Sequence, residues 1–315
     1  MMEQQFEQND ARIPLVAFNI SLIALVISLG FLVYTVDTQG SKVVEKNEIK
    51  KELVFLVPAV QAASYVVWDI ESGTVIAEKN GEVTRPLASV TKVMSAVVAR
   101  SILPVDSKVT IRREFLEEEG DSGLRDGEVF KLSDLLDLSL IVSSNDGARS
   151  IASVAGAFMR GTTDYAFGRS EFIREMNMQA KKLGLNSLSF TNETGLDNAD
   201  GTTGGYGNAI DVAKLFAYAL KQYPNLLEVT HKNTDMVKSV QYIHDVENTN
   251  TILGEIPNII ASKTGFTNMA GGNLAVVFDA GFGRPIAIVV LGSTTEGRFT
   301  DMVALASSTL QYIKQ

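Results

Sequence analysis

Cysteine is absent from this 315-residue chain. The absence excludes disulfides, thiolate metal sites and cysteine nucleophiles, and it leaves the compartment open. Histidine is almost absent too, with only His231 and His244. The pair does not stand at helical ligand spacing and no H-E-x-x-H occurs, so each reads as a surface or core side chain and no metal is expected. No Lys/Arg-rich cluster with interleaved aromatics occurs, and the formal net charge is -9. Nucleic acid is therefore not an expected partner. The acidic balance bears on solubility and not on fold. What is present is ordinary globular composition, 45% hydrophobic and 21% charged, with length for one large domain or two modest ones.

One long uncharged apolar run is there, at 15–36. A membrane-crossing helix needs roughly 20 such residues. No small-x-small cleavage site follows it directly, so it reads as an uncleaved signal anchor and not as a removed signal peptide. The expected organisation is a short cytoplasmic tail at 1–14, a transmembrane helix at 15–36, a charged linker at 37–55 and one catalytic domain at 56–315, with no separate C-terminal β domain. Flanking charges pull the other way. Arg12 stands among Glu3, Glu7 and Asp10 before the run, while Lys42, Lys46, Lys50 and Lys51 follow it, interspersed with acids. Counted alone they lean toward a cytoplasmic C-terminal part, although large domains are translocated regardless of local charge.

Past the linker, 65–70 and 74–77 alternate as strands around a Glu71-Ser72-Gly73 turn and predict a β-hairpin. Apolar stripes at helical spacing predict helices over 89–102, 132–140, 145–159, 171–183 and 209–218. Strands are expected at 259–265, 274–279 and 285–291, and an amphipathic helix at 298–314. The order indicates an α+β fold, helices packed on a largely antiparallel sheet.

Histidine-dependent serine chemistry is disfavoured by order. Gly120-Asp121-Ser122-Gly123 has the form of a nucleophile string, yet both histidines follow Ser122, and no G-x-S-x-G elbow exists. The segment reads as a polar loop. A serine can instead be activated by an amine whose pKa is lowered by burial or a neighbouring cation. Ser89-Val90-Thr91-Lys92 puts hydroxyl and amine three residues apart, on one helical face. Pro86 stops the helix from running back, so Ser89 falls near a helix N-terminus, where negative charge is favoured. Alone, S-x-x-K equally describes an N-cap serine and a surface lysine. Ser143-Ser144-Asn145 lies in a polar break between apolar segments. Lys263-Thr264-Gly265 closes a β-like run, where glycine lets a substrate backbone approach. The three triplets in this order form a strong combined signal.

On these residues the chain resembles the D-alanyl-D-alanine carboxypeptidase family, the low-molecular-mass penicillin-binding proteins, over roughly 63–315. Arg85–Lys92 is similar to R-x-P-A-S-L-T-K, and Gly123–Glu128 with Leu135-Leu136 to the segment before S-x-N. Ser144–Ala148 is similar to the S-G-N-D-A stretch, and Phe190–Leu196 to F-x-N-P-x-G-L. Lys263–Thr267 with Ala270-Gly271 and Asn273-Leu274 is similar to K-T-G-x-T…A-G-x-N-L. Ser144 departs from the usual Gly or Ala, and Gly205–Ala209 from H-x-S-T-A. The resemblance implies a β-lactamase/transpeptidase-like fold, an antiparallel sheet flanked by helices, preceded here by one transmembrane helix. It implies a stem-peptide substrate of peptidoglycan ending in D-Ala-D-Ala, β-lactams as inhibitors, no cofactor, and a catalytic domain on the extracytoplasmic side of the cell membrane. It implies that Lys92 deprotonates the nucleophile Ser89 and that Ser143 relays a proton to the leaving group. Asn145, Lys263 and Thr264 would bind substrate, with Gly265 admitting it. Phe266 and Ser89 would supply oxyanion-hole N–H groups, and Lys263 would be the cation that keeps Lys92 neutral.

Three alternatives differ in outcome. A β-lactamase of this fold needs a glutamate in E-x-x-x-N, but Glu171, Glu175 and Glu193 are followed four residues on by Glu175, Gln179 and Asp197. An endopeptidase would use the same residues. A non-enzymatic β-lactam or wall-fragment sensor would be acylated without turnover, and would need a partner for its output.

Overall fold

The computed structural model describes residues 54–315. The expected tail, membrane segment and nearly all of the linker lie outside the described residues. Among those described, no helix is long and apolar enough to cross a membrane.

In chain order the strands are β1 (Ser64–Asp69), β2 (Thr74–Lys79), β3 (Arg85–Pro86), β4 (Lys108–Thr110), β5 (Val129–Lys131), β6 (Ser189–Phe190), β7 (Gly205–Gly207), β8 (Thr234–Lys238), β9 (Ile243–Glu247), β10 (Ile259–Thr267), β11 (Gly271–Asp279) and β12 (Pro285–Ser293). The α-helices are α1 (Lys92–Ile102), α2 (Leu132–Ile141), α3 (Asn145–Arg160), α4 (Tyr165–Lys182), α5 (Ala209–Gln222) and α6 (Gly297–Ile313).

The main sheet has five strands in the order β10-β11-β12-β1-β2, each pair antiparallel. Its middle strands are covered on both faces, which is why they read as near-continuous apolar runs. Side chains alternate across a strand. Leu274, Val276, Phe278, Ile286, Ile288 and Val290 therefore meet Phe299, Met302 and Leu305 of α6 on one face. Ala275, Val277, Ala287, Val289 and Leu291 join the larger core built with the other helices on the opposite face. Each fully buried aliphatic side chain contributes about 1.5–3 kcal/mol, so the sheet is the rigid element against which the site is set. α6 is also tied to the chain entering β1. Asp301 accepts N–H bonds from Gln61 (2.9 Å) and Ala62 (2.8 Å) and the hydroxyl of Ser293 (2.7 Å).

Three of the helices begin where short polar side chains satisfy free N–H groups of the first turn. Ser144 caps α3 through Gly147 N–H, and Asn208 caps α5 through Asp211 N–H. Asp164 accepts from Phe167 N–H and starts α4 at Tyr165, six residues ahead of the expected 171 because the capping aspartate outweighs a weak apolar stripe. The hairpin of β8 and β9 was not expected. Its strands show mostly exposed, polar alternation with only Val237 and Val246 buried, too few apolar positions to signal a strand pair.

Candidate active site

The nucleophile turn is fixed from both sides. Pro86 O accepts from Asn273 Nδ2 (3.0 Å), and Leu87 N–H bonds to Gly205 O (2.9 Å). Ala88 then takes a left-handed φ of 47°, a conformation costly for a residue with a Cβ. It opens a 3₁₀ turn, Ala88–Thr91, that runs into α1. In a 3₁₀ turn side chains at i and i+3 eclipse, so Ser89 and Lys92 face one another.

Lys92 is 1% exposed. Its Nζ lies 2.8 Å from Ser89 Oγ, 2.6 Å from Asn145 Oδ1 and 2.9 Å from Thr194 O. Two of these partners are carbonyl oxygens, which only accept. A neutral amine therefore gives both N–H bonds to them and turns its lone pair to the serine hydroxyl. Burial brings the Lys92 pKa down to about 7, against the pull of Glu193 and Glu118. A large share of Lys92 is thus neutral near pH 7, where lysine is ordinarily a cation.

The polar break of the sequence is the elbow between α2 and α3. Ser143 sits there at φ 62°, a left-handed conformation that aims its hydroxyl at Lys263 Nζ, 2.8 Å away. Ser144 spends its hydroxyl on the cap of α3 and on Ser122 Oγ (2.6 Å), which gives a physical reason for serine at that position. Asn145 is the first residue of α3 and is oriented by Glu119 O, which accepts from its Nδ2 at 2.6 Å.

The third triplet lies on β10, at the edge of the main sheet. Lys263 is 2% exposed, and its Nζ also meets Thr264 O at 3.0 Å. Burial, then Lys92, then Arg298 push its pKa well below the usual lysine value. The expected influence runs the other way: Lys92 helps to lower Lys263, while burial and not Lys263 lowers Lys92. Arg298 of α6, whose guanidinium donates to Gly265 O at 2.8 Å, adds a further positive charge. Thr264 Oγ1 is 2.6 Å from Thr249 Oγ1, Gly265 is pressed against the nucleophile turn, and Phe266 is half-exposed. Hydrogen bonds thus link Ser89, Lys92 and Asn145 into one group and Ser143 and Lys263 into a second, the two lysines close enough to interact by charge, with Thr264, Gly265 and Phe266 continuing along the strand.

Several contributors escaped the sequence reading. Thr194 acts through its carbonyl, Glu193 and Arg298 through charge, and Thr249 through its hydroxyl contact with Thr264. Only the string Phe190–Leu196 carried a signal for Glu193 and Thr194. Within it, Asn192 Oδ1 takes the N–H groups of Thr194 (3.2 Å) and Gly195 (2.7 Å). Gly195 adopts φ 82°, and a Cβ there would fall 1.9 Å from Ala88 O. The loop can lie on the nucleophile turn only with glycine at that position.

Comparison with known proteins identifies the family. A family model described as D-alanyl-D-alanine carboxypeptidase matches residues 51–295. A D-alanyl-D-alanine endopeptidase of Escherichia coli is 32% identical over 249 residues, covering 77% of this chain and 74% of the relative. The D-alanyl-D-alanine carboxypeptidase DacB2 of Mycobacterium tuberculosis is 29% identical over 242 residues, covering 76% of this chain and 78% of the relative. Among solved structures, a D-alanyl-D-alanine carboxypeptidase from Mycobacterium tuberculosis superposes with a TM-score of 0.69 at 28% identity, covering 82% of this chain and 93% of that one. The DD-transpeptidase of Streptomyces K15 superposes with a TM-score of 0.73 at 24% identity, covering 81% and 99%, a likeness of fold alone.

Proposed function

The chain belongs to the D-alanyl-D-alanine carboxypeptidase family of serine peptidases, and on that premise we propose that it removes the terminal D-alanine from peptidoglycan stem peptides through an acyl-enzyme on Ser89. The observation that carries this reading is the buried Lys92 amine, 2.8 Å from Ser89 Oγ and tied to two carbonyl oxygens.

Neutral Lys92 takes the hydroxyl proton as Ser89 Oγ attacks the penultimate D-Ala carbonyl. The N–H groups of Ser89 and Phe266 receive the developing oxyanion, a contribution worth about 10²–10³ in rate per donor. Ser143, in contact with Lys263, gives its hydroxyl proton to the departing amine as the C–N bond breaks and takes in return the proton held by Lys92, so free D-alanine leaves and Lys92 is neutral again. Neutral Lys92 then takes a proton from the water that attacks the ester and returns it to Ser89 Oγ as the ester C–O bond breaks, which releases the shortened peptide. Lys263 and Thr264 hold the terminal carboxylate by hydrogen bonds, the positive charge of Arg298 attracts it, and Asn145 holds the acyl-side amide. β-Lactams acylate Ser89 because they present a strained amide beside a carboxylate. The uncharged run at 15–36 anchors the chain in the cell membrane with this domain on the extracytoplasmic side, where the wall peptide is.

Endopeptidase action on wall peptides is the second reading, supported by the name of the Escherichia coli relative. Incubating the full chain with a pentapeptide ending in D-Ala-D-Ala, and separately with cross-linked dimers, distinguishes the two. The expected result is release of one D-alanine from the pentapeptide, abolished in Ser89→Ala. Release that persists in Ser89→Ala, or cleavage of dimers alone, contradicts it.

A further inference from the structure

Behind the Lys92 amine lies a chain of charges that the reaction scheme leaves unused. Glu193 is fully buried, and Arg169 Nε of α4 meets both its carboxylate oxygens at 3.0 Å. Arg169 also reaches Glu118 Oε1 at 3.3 Å, and Arg149 of α3 holds the same oxygen at 2.9 Å. Each carboxylate belongs to a segment that supports the site directly. Glu193 O accepts from Ser95 Oγ at 2.7 Å, and the next carbonyl, Thr194 O, accepts from Lys92. Beside Glu118, whose N–H bonds to Asp146 Oδ1 at 3.1 Å, Glu119 O orients Asn145. One guanidinium thus joins the two loops whose carbonyls set the Lys92–Asn145 pair. Glu193 stands, moreover, where the F-x-N-P-x-G-L pattern has proline, so the clamp is not part of that pattern.

We propose that Arg169 is a positioning residue for the acyl-transfer reaction. By clamping Glu193 and Glu118 it fixes Thr194 O and Glu119 O about Lys92 and Asn145, and it screens Lys92 from the buried Glu193 and the partly buried Glu118. The inference rests on the function proposed above.

The charges facing Lys92 come from every side. Glu193 lies on the 191–197 loop and Glu118 on the 112–128 loop, and both favour the protonated amine. Lys263 on β10 also faces it, its own pKa lowered by burial, Lys92 and Arg298 of α6. Arg169 and Arg149 neutralise the carboxylates, and Asp146 adds negative charge next to Glu118. Removing the Arg169 charge leaves Glu193 without its partner and Glu118 with Arg149 alone, so Lys92 keeps its proton to higher pH. Removing the Glu193 charge does the reverse. A residue that merely stabilised the fold would not shift the two variants in opposite directions.

The test is the second-order rate of Ser89 acylation by a fluorescent penicillin, measured against pH on the full chain and its variants. In Arg169→Gln the acid limb moves up by about 1 pH unit and the plateau rate falls roughly tenfold. In Glu193→Gln the limb moves down by about half a unit. Arg169→Lys lies between wild type and Arg169→Gln, since an ammonium restores charge without the two-pronged grip. If Arg169→Gln does not fold, the near-isosteric Glu193→Gln still decides. Acid limbs that coincide with wild type, or that move in the same direction in both variants, overturn the inference alone. A wild-type chain that takes no label overturns the functional reading, and this inference with it.

Discussion

Gly265 and Ser89 are held so close that a side chain at 265 would crowd the nucleophile turn. A Cβ on Gly265 would lie 3.2 Å from Ser89 N and 2.9 Å from Leu87 O. The edge strand that is to carry substrate is thereby set against the backbone of the nucleophile. Gly265→Ala must push the two apart. The expected outcome is a fall in acylation rate of about 10²-fold, with a loss of stability of about 1–3 kcal/mol. Penicillin acylation kinetics and urea denaturation measure the two separately.

The Lys92 amine, with a pKa of about 7, sets a pH dependence. The base acts only when neutral, so acylation rises with pH through about 7 and levels off above it. Lys92→Met is expected to lower acylation by roughly 10²–10⁴-fold at neutral pH. The linkage has a defined sign. The folded-state pKa lies below the unfolded value, so the unfolded chain binds more protons in the interval between them. The contribution of Lys92 to stability therefore rises as pH increases from about 7 toward 10.5.

Asp301 makes a prediction about stability and not about chemistry. Its carboxylate takes the N–H groups of Gln61 and Ala62 and the hydroxyl of Ser293. Asp301→Ala leaves buried donors unpaired and is expected to cost about 2–4 kcal/mol. The urea midpoint falls accordingly, while the acylation rate of the folded fraction is unchanged.

Asp137, on α2, lines a surface cleft of about 570 Å³. Burial, with Asp134 and Asp235 nearby, raises its pKa to about 7. Here the folded-state pKa lies above the unfolded value, so its contribution falls as pH rises from about 4 through 7. Asp137→Asn is expected to stabilise the chain above pH 7 by about 1–3 kcal/mol and to make no difference below about pH 4. Denaturation at both ends of that range checks it.

Much of this site was legible because its chemistry rides on side chains at fixed spacing. Ser89 and Lys92 are local partners, and the polar break at Ser143–Asn145 and the glycine after Thr264 each interrupt an apolar pattern. The sheet was legible for the same reason, since 274–279 and 285–291 are apolar on both faces. What stayed hidden acts through the backbone or across long sequence separations. Thr194 gives a carbonyl, which no residue type advertises. Arg169 and Glu193 meet only after α4 packs beside the loop, and Arg298 looked like one more polar residue of an amphipathic helix. α4 was begun late because its first turns depend on the Asp164 cap and not on an apolar stripe. The β8–β9 hairpin has too little buried surface to announce itself.

The central claim is that Ser89, activated by Lys92, forms a covalent acyl-enzyme. Intact-mass and peptide-mapping spectrometry of the full chain after exposure to a labelled penicillin tests it most directly. The account predicts one adduct per chain, mapped to Ser89, absent in Ser89→Ala and strongly slowed in Lys92→Met. No adduct on the folded wild type, or an adduct that persists in Ser89→Ala, would contradict it.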